Sequence, residues 1–290
     1  MKPTSKDSQT IGIVGLGLIG GSLCLDLQSL GYKVHGLAHR TETALRAKER
    51  GLAQIIDTDP KILSECSIVI IALPLSKILQ PGQKLIEALP PQAVITDVGS
   101  VKTPVLRIWK KLHPYFVASH PMAGSEKRGV EAGQKNLFKG KTWISTPDKE
   151  TNRESIEIIR KLALSLGSNW LTSTAEIHDE VVALISHLPV LVSAALLQVI
   201  NKEEDIGKFN LAKQLASTGF SDTSRVGGGN PELGVSMMKN NTSKVLNLLS
   251  SYKQSINIIE DTIRSEEWEK LNHLLTTNQT LRSNFIEETN

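Results

Sequence analysis

Ile11-Gly12-Ile13-Val14 is an apolar run behind a polar leader, and it passes directly into Gly15-Leu16-Gly17-Leu18-Ile19-Gly20 and then into small and apolar residues. The pattern predicts a buried strand, a tight turn and a helix. Further β-branched runs predict strands at Lys33–Leu37, Ile68–Ala72, Ala93–Thr96, Phe116–Ala118 and Thr142–Ser145, with helical segments between them up to about Leu171. That rhythm belongs to a parallel sheet with crossover helices. Gly51 and Gly167 follow helical stretches, where a helix-ending glycine is expected.

After about Thr174 the strand signal disappears and helical periodicity takes over. Val245, Leu249, Tyr252, Ile256, Ile259 and Ile263 recur at spacings of four and three, the seam of a long helix packed on another helix. Ser265 is placed to cap a last helix carrying Trp268, Leu271 and Leu275. The expected architecture is α/β: a Rossmann-type, mostly parallel sheet domain over 1–173, then an all-helical dimerisation domain over 174–290. The uncharged run from Val181 to Ile200 has the length of a membrane span. It also carries Ser186, His187, Pro189, Ser193 and Gln198, so it is read as a core or subunit-contact helix and no membrane partner is expected.

The Gly15, Gly17, Gly20 pattern assigns the first domain to a dinucleotide. Gly15 allows the tight turn, Gly17 removes a side chain from the path of a pyrophosphate, and Gly20 lets helix and strand approach. The N–H groups at Leu18 and Ile19, at the helix start, then face the phosphates. Leu73 and Pro74 follow the Ile68–Ala72 strand, at the sheet edge where cofactors bind in such folds. An NAD-preferring site places an acid about 20 residues beyond the glycines. Here the second strand ends Leu37-Ala38-His39-Arg40. His39 leaves room and Arg40 can pair with a 2′-phosphate, so NADP is favoured over NAD. The plainer alternative for Arg40 is a solvated helix start.

Composition narrows the partners. The net charge is +3 and the basic residues are dispersed, which argues against nucleic acid. The two cysteines, Cys24 and Cys66, sit in apolar runs and read as buried thiols in a reducing cytoplasm. No His/Cys/Asp cluster has metal-ligand spacing, and no metal is expected. The polar start predicts no secretion signal.

Three turn-rich polar segments carry candidate chemistry: Asp97-Val98-Gly99-Ser100-Val101-Lys102, Ser119-His120-Pro121-Met122-Ala123-Gly124-Ser125-Glu126 and Asp222-Thr223-Ser224-Arg225-Val226-Gly227. Asp97, Pro74 and His120 are expected just past strand C-termini. A His there, beside a nicotinamide, is placed to accept a hydroxyl proton while hydride leaves the same carbon; alone, it would read equally as a loop-bound His.

The glycine turn, these three segments and Ile185-Ser186-His187-Leu188-Pro189, in this order, resemble the prephenate/arogenate dehydrogenases of tyrosine biosynthesis, and the cyanobacterial arogenate-type members most. The resemblance implies oxidative decarboxylation of L-arogenate to L-tyrosine with hydride transfer to NADP, or of prephenate with NAD(P), by a cytoplasmic homodimer joined through its helical half. It implies that His120 is the base toward the ring C4 hydroxyl, that Ser100 bonds the same hydroxyl and orients His120, and that Arg225 holds a substrate carboxylate. Glu126 matches a glutamate near the site entrance. His187 matches a histidine near the substrate, though a lone His on an apolar helix is equally structural. Prephenate-using relatives often carry a second His where this chain has Val190, which favours arogenate; Asp222 is then a candidate for the substrate ammonium, or braces the Arg225 loop as an Asx turn. A β-hydroxyacid-type dehydrogenase shares the architecture but relies on a lysine motif with no match in the helical half. A nucleotide sensor would have no use for His120, Ser100 and Arg225 together. The length leaves no room for a regulatory module, so feedback through a separate domain is not expected.

Overall fold

The computed structural model describes residues 9–125 and 127–287. Among the described residues, nine strands form two sheets. Six of them, β1 (Thr10–Val14), β2 (Lys33–Leu37), β3 (Ile55–Asp57), β4 (Ile68–Ile71), β5 (Val94–Asp97) and β6 (Phe116–Val117), make an all-parallel sheet in the order β3-β2-β1-β4-β5-β6. The order reverses between β1 and β4, the point where such sheets open a ligand crevice at their carboxyl edge. The other three, β7 (Ser119–Pro121), β8 (Thr142–Ser145) and β9 (Asn169–Thr172), form a second sheet with β7 antiparallel to β8. The predicted Thr142–Ser145 strand therefore pairs in the second sheet, not the main one.

The sheet is continuously apolar because both of its faces are covered. Ile11, Ile13, Val34, Ile68 and Ile70 are buried on one side, and Val14, Val69, Ile71 and Ile95 on the other. Helices α1 (Leu18–Ser29), α2 (Thr41–Glu49), α3 (Leu75–Leu79), α4 (Gln83–Ala88), α5 (Thr103–Leu112) and α6 (Arg153–Ser165) follow strands of this region. Trp109 of α5 donates its indole N–H to the Ile78 carbonyl of α3 at 2.8 Å, which ties two crossover helices together. Cys24 and Cys66 are buried free thiols.

The helical region begins with α7 (Ala175–Val182), capped by the Thr174 hydroxyl, then one turn of π-helix (Ala183–His187) and α8 (Leu188–Asn201). This continuous stretch is long and apolar enough to cross a membrane by length and composition alone. After it come α9 (Ile206–Leu215), α10 (Thr218–Ser224) and α11 (Pro231–Asn240). Residues 1–241 form one compact unit and Thr242–Asn290 another, the latter an α-helical pair of α12 (Thr242–Arg264) and α13 (Trp268–Glu287). The predicted seam lies along α12, with Ile256, Ile259 and Ile263 lining a groove on it.

Two predicted local features differ. Ser265 does not cap α13: its N–H bonds the Asp261 carbonyl, continuing the turn of α12, and Leu271 N–H bonds Glu267, which stands at the cap position. The Asp222–Ser224 segment is helical rather than a turn.

What positions the carboxyl edge is a buried ion pair. Asp97, the last residue of β5, and Lys102 are both wholly buried and bonded Nζ to Oδ2. Asp97 also accepts the Gly99 N–H at 2.8 Å and the Ser119 N–H at 3.2 Å, while Lys102 Nζ donates to the Ser119 carbonyl at 2.7 Å. Burial pushes the Lys102 ammonium below its usual pKa range and Asp97 pulls it back up. Lys102→Met leaves a buried carboxylate without its cation and is expected to lower the unfolding free energy by about 3–5 kcal/mol in urea titrations; an unchanged midpoint would contradict this account. Gly20→Ala would set a methyl onto the Gly15 carbonyl oxygen, and calorimetry should register a loss of about 1–3 kcal/mol for such overpacking.

Candidate active site

The glycine turn opens at the β1/β4 reversal. Gly15 has φ 96°, and a side chain there would meet the Ala72 carbonyl oxygen at 2.5 Å and Leu73 at 3.0 Å. Gly20 abuts the Gly15 carbonyl, so α1 lies directly on the turn. A Cβ on Gly17, by contrast, would meet nothing within 4 Å. Gly17 is the N-cap of α1, no side chain bonds the helix start, and no acid stands in its first turn. Leu18 and Ile19 thus begin a helix whose N-terminus faces open space with its positive end, and the donor set suits a diphosphate.

Leu73 is partly buried against the turn and Pro74 caps α3. His39 and Arg40 are exposed past the end of β2, the neighbour of β1. Arg40 occupies the N-cap position of α2 but makes no side-chain cap. No side-chain bond ties its guanidinium down among the described residues, so it is available to a ligand at this edge.

His120 stands two strands across from the turn in a different setting from the one expected. It falls just past β6, as expected, but lies within β7, opposite Ile144 of β8, rather than in a loop. Its position at the edge comes from Ser119, which Asp97 and Lys102 hold. The Ser119 hydroxyl is itself fixed by the Asp97 carbonyl at 2.9 Å, Thr96 Oγ1 at 2.8 Å and the Trp143 indole N–H at 3.0 Å. Adjacent strands are about 4.8 Å apart, which puts the β5 terminus about 10 Å from the glycine turn, within the span of one dinucleotide.

Behind His120 lies a chain of groups that reading the sequence did not single out. His120 Nδ1 is 3.0 Å from His178 Nε2, and His178 Nδ1 is 2.8 Å from Asp179 Oδ1. Asp179 also accepts the backbone N–H groups of Lys102 at 2.7 Å and Thr103 at 2.8 Å. His178 and Asp179 are both buried. Burial opposes the charge on Asp179, but the His178, Lys102 and Thr103 hydrogen bonds outweigh it and hold the pKa below the usual carboxylate value. For His120, burial first, and then His178, Lys102 and His187, hold the pKa well below 6.5. The imidazole is therefore neutral at neutral pH, the form a base requires. The one signal in the sequence for this chain was a His-Asp doublet at the head of the helical half.

His187 is wholly buried on the π turn, its Nδ1 3.4 Å from Asn241 Nδ2 and its Nε2 without a partner. Burial lowers its pKa to about 4, against the pull of Asp179. Asn241 Nδ2 also donates to the Asp179 carbonyl at 2.7 Å, so one amide links the two helical segments. Ser100 is partly buried beside Gly99, and the partner of His120 Nδ1 is His178 Nε2 rather than Ser100.

Arg225 and Asp222 are exposed on and just after α10. No hydrogen bond or ion pair joins either of them to His120 among the described residues. Asp222 makes no Asx turn, since the backbone there is helical and bonds internally. The segment is anchored to α8 instead: Ser193 Oγ donates to the Thr223 carbonyl at 2.7 Å and accepts the Gly227 N–H at 2.8 Å. Glu126 lies outside the described residues. Among those described, no group of three or more His, Cys, Asp or Glu is placed to hold a metal ion.

Comparison with known proteins agrees with this layout. Residues 23–171 match the family model for the prephenate dehydrogenase nucleotide-binding domain, and residues 174–277 match the prephenate dehydrogenase dimerization domain. The prephenate dehydrogenase of Bacillus subtilis is 31% identical over 271 residues, 90% of this chain and 72% of that protein. The crystal structure of Synechocystis arogenate dehydrogenase superposes with TM-score 0.83 at 39% identity, covering 96% of this chain and 100% of that one. That of Aquifex aeolicus prephenate dehydrogenase, in complex with hydroxyphenyl propionate and NAD+, gives TM-score 0.88 at 28% identity over 98% and 100%. With a glycine turn shaped for a diphosphate, a neutral histidine at the same sheet edge and both family domains matched in order, the chain belongs to the prephenate/arogenate dehydrogenase family of oxidoreductases.

Proposed function

We propose that this enzyme oxidatively decarboxylates L-arogenate to L-tyrosine with NADP as hydride acceptor. The observation that carries the reading is the neutral His120 ring, held by His178 at the carboxyl edge two strands from the glycine turn. Gly15, Gly17, Leu18, Ile19 and Gly20 hold the diphosphate, Leu73, Pro74 and Ser100 border the nicotinamide side, and His39 and Arg40 take the adenosine ribose. The bound nicotinamide supplies a two-electron acceptor for the hydride of the substrate C4–H bond. His120 accepts the C4 hydroxyl proton at Nε2, with Ser100 bonding the same oxygen. Carbon dioxide then leaves from the resulting dienone as the ring becomes aromatic; the electron pair of the broken C–C bond passes to the C4 oxygen, which takes back the proton held by His120, so no further acid is needed. Arg225 clamps a carboxylate with its planar fork, Asp222 meets the ammonium group, and Glu126 and His187 complete the surroundings.

Two observations support arogenate: Val190 in place of a second histidine, and the 39% identity to the Synechocystis arogenate dehydrogenase. The absence of an acid after β2 and the free guanidinium of Arg40 support NADP. Prephenate with NAD is the second reading, favoured by the Aquifex aeolicus complex with NAD+. Initial rates with arogenate and prephenate, each against NADP and NAD, separate the two. The arogenate/NADP pair should give the highest kcat/KM, its acid limb should fall well below pH 6.5, and Arg40→Ala should raise the KM for NADP but not for NAD. Preference for prephenate would sink the substrate assignment, and Arg225→Ala acting on kcat alone would sink the clamp.

We further propose a cytoplasmic homodimer joined through the helical half. Val199, Ile206 and Leu215 are 69%, 76% and 70% exposed on one chain, a density of apolar surface that suits a partner subunit. The apolar stretch Ala175–Asn201 belongs to this contact and not to a bilayer, since His178, Asp179 and His187 within it are tied into buried hydrogen bonds. Sedimentation should give twice the chain mass, and Val199→Asp should shift it toward the monomer; a wild-type monomer refutes the dimer.

A further inference from the structure

We infer that His178 and Asp179 are positioning residues that fix which nitrogen of His120 carries the proton, so that the base presents a bare Nε2. The inference rests on the reading of His120 as the proton acceptor. It follows from counting donors along a chain of three side chains in one unit, with His178 and Asp179 buried and His120 half-buried.

An ionised carboxylate only accepts hydrogen bonds. Asp179 faces three groups: the Lys102 N–H, the Thr103 N–H and His178 Nδ1. His178 must therefore carry its proton on Nδ1. A neutral His178 then has its lone pair on Nε2, the atom 3.0 Å from His120 Nδ1. One proton occupies a bond between two ring nitrogens, and it has to sit on His120. With Nδ1 protonated, the neutral His120 ring has its lone pair at Nε2, on the side away from His178. Had Asp179 been an amide or His178 an apolar residue, nothing in the structure would choose between the two tautomers.

The same chain serves the charged form. When Nε2 takes a proton from substrate, the His120 imidazolium donates Nδ1–H to His178, which is already polarised by Asp179. The groups facing His120 are then His178 with Asp179 behind it, the Lys102 ammonium paired to Asp97, and the neutral His187. Lys102 opposes the new positive charge, and the Asp179 carboxylate, relayed through His178, offsets it. The anchor does not stray, because its carboxylate is pinned by the first backbone N–H groups at the start of α5 and by the α7 helix that carries it. The Asp179 carbonyl accepts the Ala183 N–H of the helix and the Asn241 amide as well. Arrangements in which a buried carboxylate fixes a catalytic imidazole through its Nδ1–H are worth several orders of magnitude in rate elsewhere. Here one imidazole is interposed.

The experiment is steady-state kinetics with arogenate/NADP and prephenate/NAD, joined to 15N ring shifts of the full-length protein, with His120 assigned by its loss in His120→Asn. In the wild type at neutral pH the His120 ring should show Nδ1 protonated and Nε2 bare. His178→Leu should lower kcat about 100-fold, leave the KM for cofactor within about threefold, and abolish the single-tautomer spectrum. His178→Gln, whose amide oxygen can accept from Nδ1, should recover at least about tenfold of that loss, which a purely structural role would not do. The inference is overturned if wild-type His120 is protonated at Nε2, if folded His178→Leu keeps kcat within about threefold, or if Gln is no better than Leu. Should Leu fail to fold, the wild-type spectrum and the Gln variant decide. The underlying reading fails separately: it falls if His120→Asn retains turnover, and it survives if that variant is inactive with cofactor binding intact while His178→Leu is normal.

Discussion

Asp97 is the constraint on which the active edge depends. It closes β5 in a place without solvent, and its carboxylate collects the Lys102 ammonium, the Gly99 N–H and the Ser119 N–H. A buried ion pair of this kind contributes little net stability against a well-packed apolar pair, because both charges are stripped of water. Its value is geometric. One carboxylate determines the course of the loop carrying Ser100 and the start of the strand carrying His120, and Lys102 returns to the same Ser119 through its carbonyl. The His120 ring is thereby placed by backbone contacts made through its neighbour Ser119.

Two sources of rigidity meet at that ring. From the sheet come the glycine turn, where Gly15 and Gly20 bring strand and helix into contact, and the β5 terminus about 10 Å away. From the helical region comes α7, which delivers His178 and Asp179 and bonds back to the start of α5. The local dielectric is low because these groups exclude water, and low dielectric keeps His120 and His187 neutral. Burial and hydrogen bonding are one arrangement here: the packing that makes the helix–sheet contact also keeps the His120 ring uncharged.

The sequence was most legible where the pattern is strong and local. Strands β1, β2, β4, β5, β6 and β8 were all foreseen within about a residue or two, because their β-branched runs are buried on both faces or flanked by clear breaks. The three missed strands lack that signal. β3 has three residues, β7 contains Pro121 and polar Ser119, and β9 is largely exposed. Pro121 made the His120 segment look like a loop, yet a three-residue strand in a small sheet tolerates proline as a mid-sheet strand would not. At Ser265, a good capping residue was overruled by the preceding helix, whose last turn still claims its N–H.

Spacing and residue type alone determined the nucleotide turn, the change from sheet to helix, the likeness to one enzyme family and the candidacy of His120, since each depends on residues close in sequence. Only the tertiary structure decided that Lys102 is the buried counter-ion of Asp97, that His120 leans on His178 and Asp179, and that His187 is sealed from solvent. Those contacts span 58 residues in the case of His120 and His178. A hydrogen bond across such a separation leaves no periodicity for the chain to display. It comes into being when the sheet and the helix are packed, and burial then lowers the proton affinity of His120.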